Sequence, residues 1–278
     1  MIRKVICCLA GSIAWCGLML PAKAEDILTK IQRTGVVRVA VREDAAPFGY
    51  LNANNKLQGY CLDFFALLEN KLIDSLERNT LSIKLFKSTT NNRFSLVANN
   101  IVDIECGPNT IRENIPKNTS FSTSFFITGT QFLINDRNRN RFKLDGSLDK
   151  IRLGVIRNTT TEEFIGETYP DAVIQSFSSV TARSRGVQAV AQGKIDAMVS
   201  DGILLRAEAQ RQELSATKYP LIPEIPLTCD RYGMIVRDDS QWQEFVNSVI
   251  KSSEAAVLTR AWFGNLYSYG LAISDTCD

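Results

Sequence analysis

Asn109, Thr110 and Arg112 follow the run Ile104-Glu105-Cys106-Gly107-Pro108 as a polar shelf of donors, with Glu113 the one acid beside them. Open α/β sheets present ligands on such loops just past a strand end. Other stretches share this character. Thr89-Thr90-Asn91-Asn92-Arg93 offers several N-caps to a following helix, and Asn158-Thr159-Thr160-Thr161-Glu162 carries the spacing of a capping box. A helix that starts at Thr159-Thr160 aims a hydroxyl and free backbone N–H groups forward, which suits an anion. Arg42 stands at the end of an apolar alternating run, Arg183 opens a helical pattern, and Asp201 closes a short strand pattern before 202–210. Alone, each arginine is an ordinary solvated charge and Asp201 an ordinary helix cap. Four arginines at corresponding strand and helix ends would instead form a site for carboxylates.

The elements that must place these residues alternate. Residues 26–33 read as a short amphipathic helix ending at Gly35, 36–41 as a half-buried strand, and 61–76 as a helix with Leu62, Phe65, Leu68 and Leu72 on one face. Strand 81–86, a helix after Asn92 and strand 101–105 complete a first unit, and 121–134 reads as one long strand leaving it. After the charged link 135–143 the pattern begins again: strand 151–156, the Thr159 helix, strand 172–177, helix 182–192 ending at Gly193, and strand 195–199. A strand over 232–236 and a helix over 241–263 close the chain. Two α/β units joined by two crossing strands leave a cleft between them.

Composition narrows the chemistry further. The chain has 278 residues, 32 Lys+Arg against 30 Asp+Glu, and no histidine, so Ser-His-Asp and Cys-His catalysis and histidine metal sites are excluded. Residues 1–24 combine Arg3 and Lys4, an apolar run over 5–20 and Pro21-Ala22-Lys23-Ala24, the pattern of a secretory signal peptide cleaved after Ala24. The run is short for a retained membrane span, and bulky Trp15 before Cys16 does not suit a lipid anchor. Without Arg3, Lys4 and Lys23 the basic count falls from 32 to 29 against 30 acids, which argues against nucleic-acid or membrane-surface binding. Of seven cysteines, Cys61, Cys106, Cys229 and Cys277 remain, an even number that in an exported protein reads as disulfides.

Several stretches, taken in order, carry a resemblance. Ala46-Pro47-Phe48, Gly59-Tyr60-Cys61-Leu62-Asp63, Asn92-Arg93-Phe94, Asp103-Ile104-Glu105-Cys106-Gly107, Phe121-Ser122, Gly193-Lys194-Ile195-Asp196-Ala197 with Asp201, Tyr232-Gly233-Met234 and Trp262-Phe263 together resemble the family-3 periplasmic solute-binding proteins. Within the family the pattern is most similar to glutamate/aspartate-binding proteins and to the ligand-binding core of ionotropic glutamate receptors. The resemblance implies an α/β, two-lobed periplasmic-binding-protein-like fold of type II, with two hinge strands and the ligand in the inter-lobe cleft. Lobe 1 would comprise 25–130 and 232–278, and lobe 2 would comprise 131–231.

It also implies roles. Asp201 stands where the family binds the ammonium of an amino acid, and Thr110 and Arg112 where it binds the α-carboxylate. The family places that arginine nearer Phe121-Ser122, at the position held here by Ile115, so the loop must differ in shape if Arg112 makes the contact. Arg42, before the Pro-Phe loop, matches binders of acidic amino acids. Arg93 after Thr90 does too, and Arg183 with Thr159 and Thr160 would add contacts from lobe 2. Phe48 or Tyr50 could stack on the ligand's aliphatic part. Cys229 and Cys277 would pair as in the receptor cores, whereas Cys61 and Cys106 could pair or remain free thiols.

The function so implied is the non-catalytic, monomeric, periplasmic binding component of an amino-acid ABC transporter, taking an acidic amino acid to a membrane permease without a cofactor, a metal or nucleic acid. Two other readings stand beside it. Some relatives dehydrate arogenate- or prephenate-like substrates, for which Glu43, Asp44 or Glu105 could serve as the acid. A sensory protein docking on a receptor would use the same closure.

Overall fold

Two aspartates set each half of the molecule in register. Asp103 accepts from the Arg38 backbone N–H (2.9 Å) and from its Nη2 (2.7 Å), while its own N–H donates back to the Arg38 carbonyl. Asp196 repeats the arrangement with Arg152, accepting from N (2.9 Å) and Nη2 (3.1 Å) and returning the same backbone bond. A second cation joins each aspartate, Lys30 on Asp103 and Arg141 on Asp196. Each lock ties the start of a unit's first strand to the start of its third, so the far ends of those strands come out level.

The structure, a computed structural model, describes residues 25–264 and Cys277, so the expected signal peptide over 1–24 lies outside the described residues. The first sheet has the strand order Ser82–Ser88, Val36–Arg42, Ile104–Cys106, Ile235–Arg237, Thr119–Phe121; the first three are parallel and the fourth runs against its neighbours. The second sheet has the same plan: Val173–Phe177, Arg152–Ile156, Ala197–Asp201, Thr130–Ile134, Leu221–Ile222. Between them Phe126–Thr128 pairs antiparallel with Asp230–Tyr232, a two-stranded connection that carries both crossings. Helices Ile27–Thr34, Tyr60–Ser75, Ser240–Ile250 and Ser253–Phe263 cover the first sheet around Phe48, Tyr60, Phe64 and Trp242. Among the described residues no helix is long and apolar enough to cross a membrane.

Helix Gly202–Arg211 belongs to both halves. Ile203 and Leu204 join the core of the first lobe, while Leu205 and Ala209 join that of the second. Arg211 extends the bridge by donating to the Leu51 carbonyl at 2.8 Å.

The long strand expected over 121–134 is three short ones, Thr119–Phe121, Phe126–Thr128 and Thr130–Ile134. Its apolar run hides a bend at Gly129, where a Cβ would lie 1.8 Å from the Thr228 carbonyl oxygen, so only glycine lets the two crossing chains come so near. The strand expected over 232–236 divides similarly, Asp230–Tyr232 staying in the connection and Ile235–Arg237 entering the first sheet. The helix expected over 241–263 is two, because the Ser252 hydroxyl accepts from the Ala255 N–H and starts a new N-terminus. Cys229 is bonded to Cys277, and Cys61, left open by the sequence, is bonded to Cys106.

Asp103 is fully buried, whereas its partners Lys30 and Arg38 keep part of their side chains in water. Asp103→Ala is expected to lower unfolding free energy by about 3 kcal/mol, because it strips a buried backbone N–H and two cations of one acceptor. Urea denaturation checks this; Asp196→Ala, whose arginines are about half exposed, should lose less.

Candidate functional site

The ends of these strands meet in a cleft between the lobes, lined from the first lobe by Arg42, Thr90, Arg93, Phe94, Thr110 and Arg112, and from the second by Thr159, Thr160, Arg183, Ser200 and Asp201. Every residue singled out in the sequence as a candidate for ligand contact by charge or hydroxyl therefore faces one space. The lobes touch across it: Thr110 Oγ1 lies 3.3 Å from Thr160 Oγ1, and Asn158 Nδ2 donates to Asn91 Oδ1 at 2.7 Å. Thr159 Oγ1 accepts from the Glu162 N–H (3.2 Å) and donates to the Ile156 carbonyl (2.7 Å), while Glu162 Oε2 accepts from the N–H of Asn158 (2.8 Å), one residue before the cap, so the cap forms but the expected box is shifted by one residue. With the Thr159 hydroxyl so engaged and Thr160 Oγ1 set against Thr110 Oγ1, what the helix start offers the cleft is its backbone N–H groups.

Arg42 ends the first strand and is almost fully buried, its Nε and Nη2 both donating to Asp44 at 2.7 Å. Burial opposes the charge, but the Asp44 carboxylate more than restores it, and Arg42 is held above its ordinary pKa. Arg93 opens helix Arg93–Ala98 and donates to Asn109 Oδ1 at 3.1 Å. Asn109 in turn donates to Glu105 Oε2 (2.7 Å), and Ser88 Oγ donates to Glu105 Oε1 (2.6 Å). Burial, helped by repulsion from Arg42, lowers Arg93 to about 10. Arg183 donates to Ser200 Oγ at 2.7 Å and is likewise lowered by burial.

Arg112 answers the question its position raised. Starting three residues before the place of Ile115, it still reaches the cleft, with its guanidinium 5.4 Å from the centre of the Phe94 ring. Arg93 lies over the same ring at 5.5 Å, so Phe94 supports both cations. Phe48 is not in the cleft. It is buried in a cluster with Tyr60, Phe126, Tyr232 and Phe263, and Tyr50 lies under Arg211, so neither stacks in the lined space as expected.

Asp201 does not cap helix Gly202–Arg211 with its side chain. Its Oδ2 instead accepts from the Tyr232 hydroxyl of the connecting strand. Burial raises Asp201 to about 7, with repulsion from Asp230 adding to the shift. Asp230 is raised too, by burial, while accepting from Thr228. Tyr232 and Asp230 do not stand out in the sequence as site groups, and Glu105 does so only as an acid that a dehydratase could use; Tyr232 and Glu105 lie inside strand patterns, where alternation reads them as filling. Asp44 stands out only for that same role, not as the partner of Arg42.

Four buried polar atoms in the cleft lack a hydrogen-bond partner: Nε of Arg93, Arg112 and Arg183, and Oδ1 of Asp201. Three are donors on cations and one is an acceptor on a carboxylate. Among the described residues no cluster of three or more His, Cys, Asp or Glu could hold a metal ion.

Two mixed sheets of matching order, joined by two crossing strands with a polar cleft between them, define a two-lobed binding protein of the type II class. The chain belongs to the bacterial extracellular solute-binding proteins, family 3, whose pattern matches residues 37–265. It is similar to the glutamate/aspartate import solute-binding protein of Escherichia coli (strain K12), 25% identical over 86% of this chain and 79% of that protein. It is also similar to the L-glutamate/L-aspartate-binding protein of Pseudomonas aeruginosa, 26% identical over 86% and 80%. Proteins named for L-cystine and glutamine match at 23% and 24% identity. The ancestral amino acid-binding protein AncCDT-1, described as a precursor of cyclohexadienyl dehydratase, shares the fold with a TM-score of 0.71 at 22% identity, covering 86% of this chain and all of that one.

With its pKa raised to about 7, Asp201 holds a proton in the folded protein through a window where an unfolded aspartate, titrating near 4, has lost it. The folded state binds more protons there, so the ligand-free protein loses stability as pH rises from about 4 to about 7. Thermal midpoints across that range should fall more steeply for the wild type than for Asp201→Asn.

Proposed function

We propose that this protein is the periplasmic substrate-binding component of an amino-acid ABC importer, and that it binds an acidic amino acid by closure of its lobes. The observation that carries the reading is the convergence of three buried guanidinium donors and one buried carboxylate acceptor, each without a partner. A zwitterion with a second carboxylate supplies what each of them lacks. In this reading Arg112, Thr110 and Thr160 receive the α-carboxylate, Asp201 takes the ammonium, and Arg93 and Arg183 receive the distal carboxylate. Thr90 and Thr159 complete the wall, and Arg42 backs it through its ion pair with Asp44. The ammonium favours the charged form of Asp201, so binding near neutral pH draws a proton off that carboxyl.

The lobes divide at the two crossings, 25–130 with 232–278 on one side and 131–231 on the other. The leader over 1–24 exports the chain, cleavage follows Ala24, and the mature monomer delivers its ligand to a membrane permease. The names of the relatives from Escherichia coli and Pseudomonas aeruginosa support an acidic ligand. The acids that a dehydratase would recruit are each engaged: Asp44 by Arg42, Glu105 by Ser88 and Asn109, and Glu43 by Lys87 at 2.8 Å. Binding without turnover is therefore the better-supported activity.

Calorimetric titration of the ligand-stripped protein with glutamate, aspartate, glutamine, arginine and prephenate tests the reading. Glutamate or aspartate is expected to bind tightly while arginine gives no heat. Asp201→Asn and Arg112→Ala should each weaken that binding by about two to three decades, since each leaves a buried ligand charge unpaired. Preference for a neutral or basic amino acid would overturn the acidic assignment, and consumption of prephenate would replace binding by catalysis.

A further inference from the structure

Two guanidinium groups that line the cleft from different lobes, Arg42 and Arg183, lie in the field of one acid, Asp44, which bonds Arg42 directly. Arg42, from the end of the strand Val36–Arg42, commits Nε and Nη2 to Asp44, one donor to each carboxylate oxygen at 2.7 Å. Arg183, from the helix Ala182–Ala191 of the other lobe, feels Asp44 as its strongest neighbouring charge, ahead of Asp201. Both arginines and Asp44 are at least nine-tenths buried, so water does little to screen them from one another. The ion pair is also a partition. Asp44 faces a second cavity on its other side, lined by Glu43, Thr181, Glu208 and Arg211, whereas Arg42 faces the ligand cleft.

We propose that Asp44 is the specificity-determining residue of this site, limiting its distal end to a tail that carries one carboxylate. This rests on the acidic-amino-acid reading given above. Arg93, which the acidic reading also turns toward the tail, is answered by Glu105 through Asn109, so three guanidinium charges against Asp44 and Glu105 leave a single positive charge for the tail. Arg42 keeps only its Nη1 side for the ligand, because its Nε/Nη2 edge is already filled by Asp44. A tail with one carboxylate is matched through Arg183, a neutral amide leaves that charge unanswered, and a tail with two carboxylates brings one charge too many. A tail longer than the cleft meets the ion pair itself. Removing the Asp44 charge raises the distal end to two positive charges and frees the fork of Arg42.

Titrations of the ligand-stripped full protein with glutamate, glutamine and γ-carboxyglutamate at neutral pH test this, because γ-carboxyglutamate differs from glutamate by one further tail carboxylate. The wild type is expected to prefer glutamate over both by about tenfold or more. In Asp44→Asn the preference for glutamate over γ-carboxyglutamate should shrink by about tenfold or reverse, while Asp44→Glu, which keeps the charge, should retain it. A lower melting temperature in Asp44→Asn with an unchanged affinity ratio would mean that Asp44 only supports the fold, and would overturn the proposal. Should that variant fail to fold, the wild type still decides: equal affinity for glutamate and γ-carboxyglutamate would overturn it. Glutamate binding with an unmoved ratio removes this inference alone, whereas absence of binding by every acidic amino acid removes the acidic reading and this inference with it.

Discussion

Four guanidinium groups drawn into one cleft require acids beside them, since a buried charge without a partner costs far more than a folded domain has to spare. Arg42, Arg93, Arg112 and Arg183 are answered by Asp44, Glu105, Asp201 and Asp230, and the two sets are equal in number. The match is uneven in space. Arg42 has a carboxylate to itself, Arg93 reaches Glu105 only through Asn109, and Asp201 and Asp230 repel each other across the connecting strand. The cleft is thus matched in numbers of groups and unsatisfied in detail, since burial keeps a proton on Asp201 up to about pH 7. In the proposed reading, an amino acid would improve it by placing an ammonium beside the crowded acids and carboxylates beside the crowded cations.

Such a balance survives only on a rigid frame, and the frame is made twice. Arg38 with Asp103 and Arg152 with Asp196 fix the strand starts in their two lobes by the same set of bonds. Arg42 and the loop after Cys106 emerge from one locked sheet, while Thr159, Ser200 and Asp201 emerge from the other. The bond between Cys61 and Cys106 ties the Tyr60–Ser75 helix to the strand that leads into the Asn109 shelf. Differences between the lobes are then confined to the loops, which is where the charges sit.

The plan of the fold was legible because alternation and helical periodicity survive in short elements, and because strand ends announce themselves by polar residues. Arg112 and the threonines stood out for that reason, while Arg93, Arg183 and Asp201 joined them as a set through the family resemblance. Long apolar runs misled: 121–134 carries no charge to mark its bends, although Gly129 was a usable sign of a close approach. The partners of the site residues were harder to see. Tyr232 and Glu105 lie within strands, where a buried phenol or carboxylate looks like any other inward position, and pairing across a sheet is not written in either strand alone. Arg112 could be placed only by the shape of its loop, which sequence spacing does not give.

The helix Gly202–Arg211 lends Ile203 and Leu204 to one core and Leu205 and Ala209 to the other. Separating the lobes takes the first pair out of its apolar surroundings, a loss of about 3 to 6 kcal/mol for two large side chains before any compensating contact forms. Under the proposed lobe motion, closure therefore has a driving force that does not come from the ligand. A receptor whose competent state is already well populated gives up little affinity to reshaping itself. The same bias means that any partner reading only the closed outline would respond to the protein without cargo. Discrimination between loaded and unloaded forms would then have to rest on the charges of the cleft and not on shape.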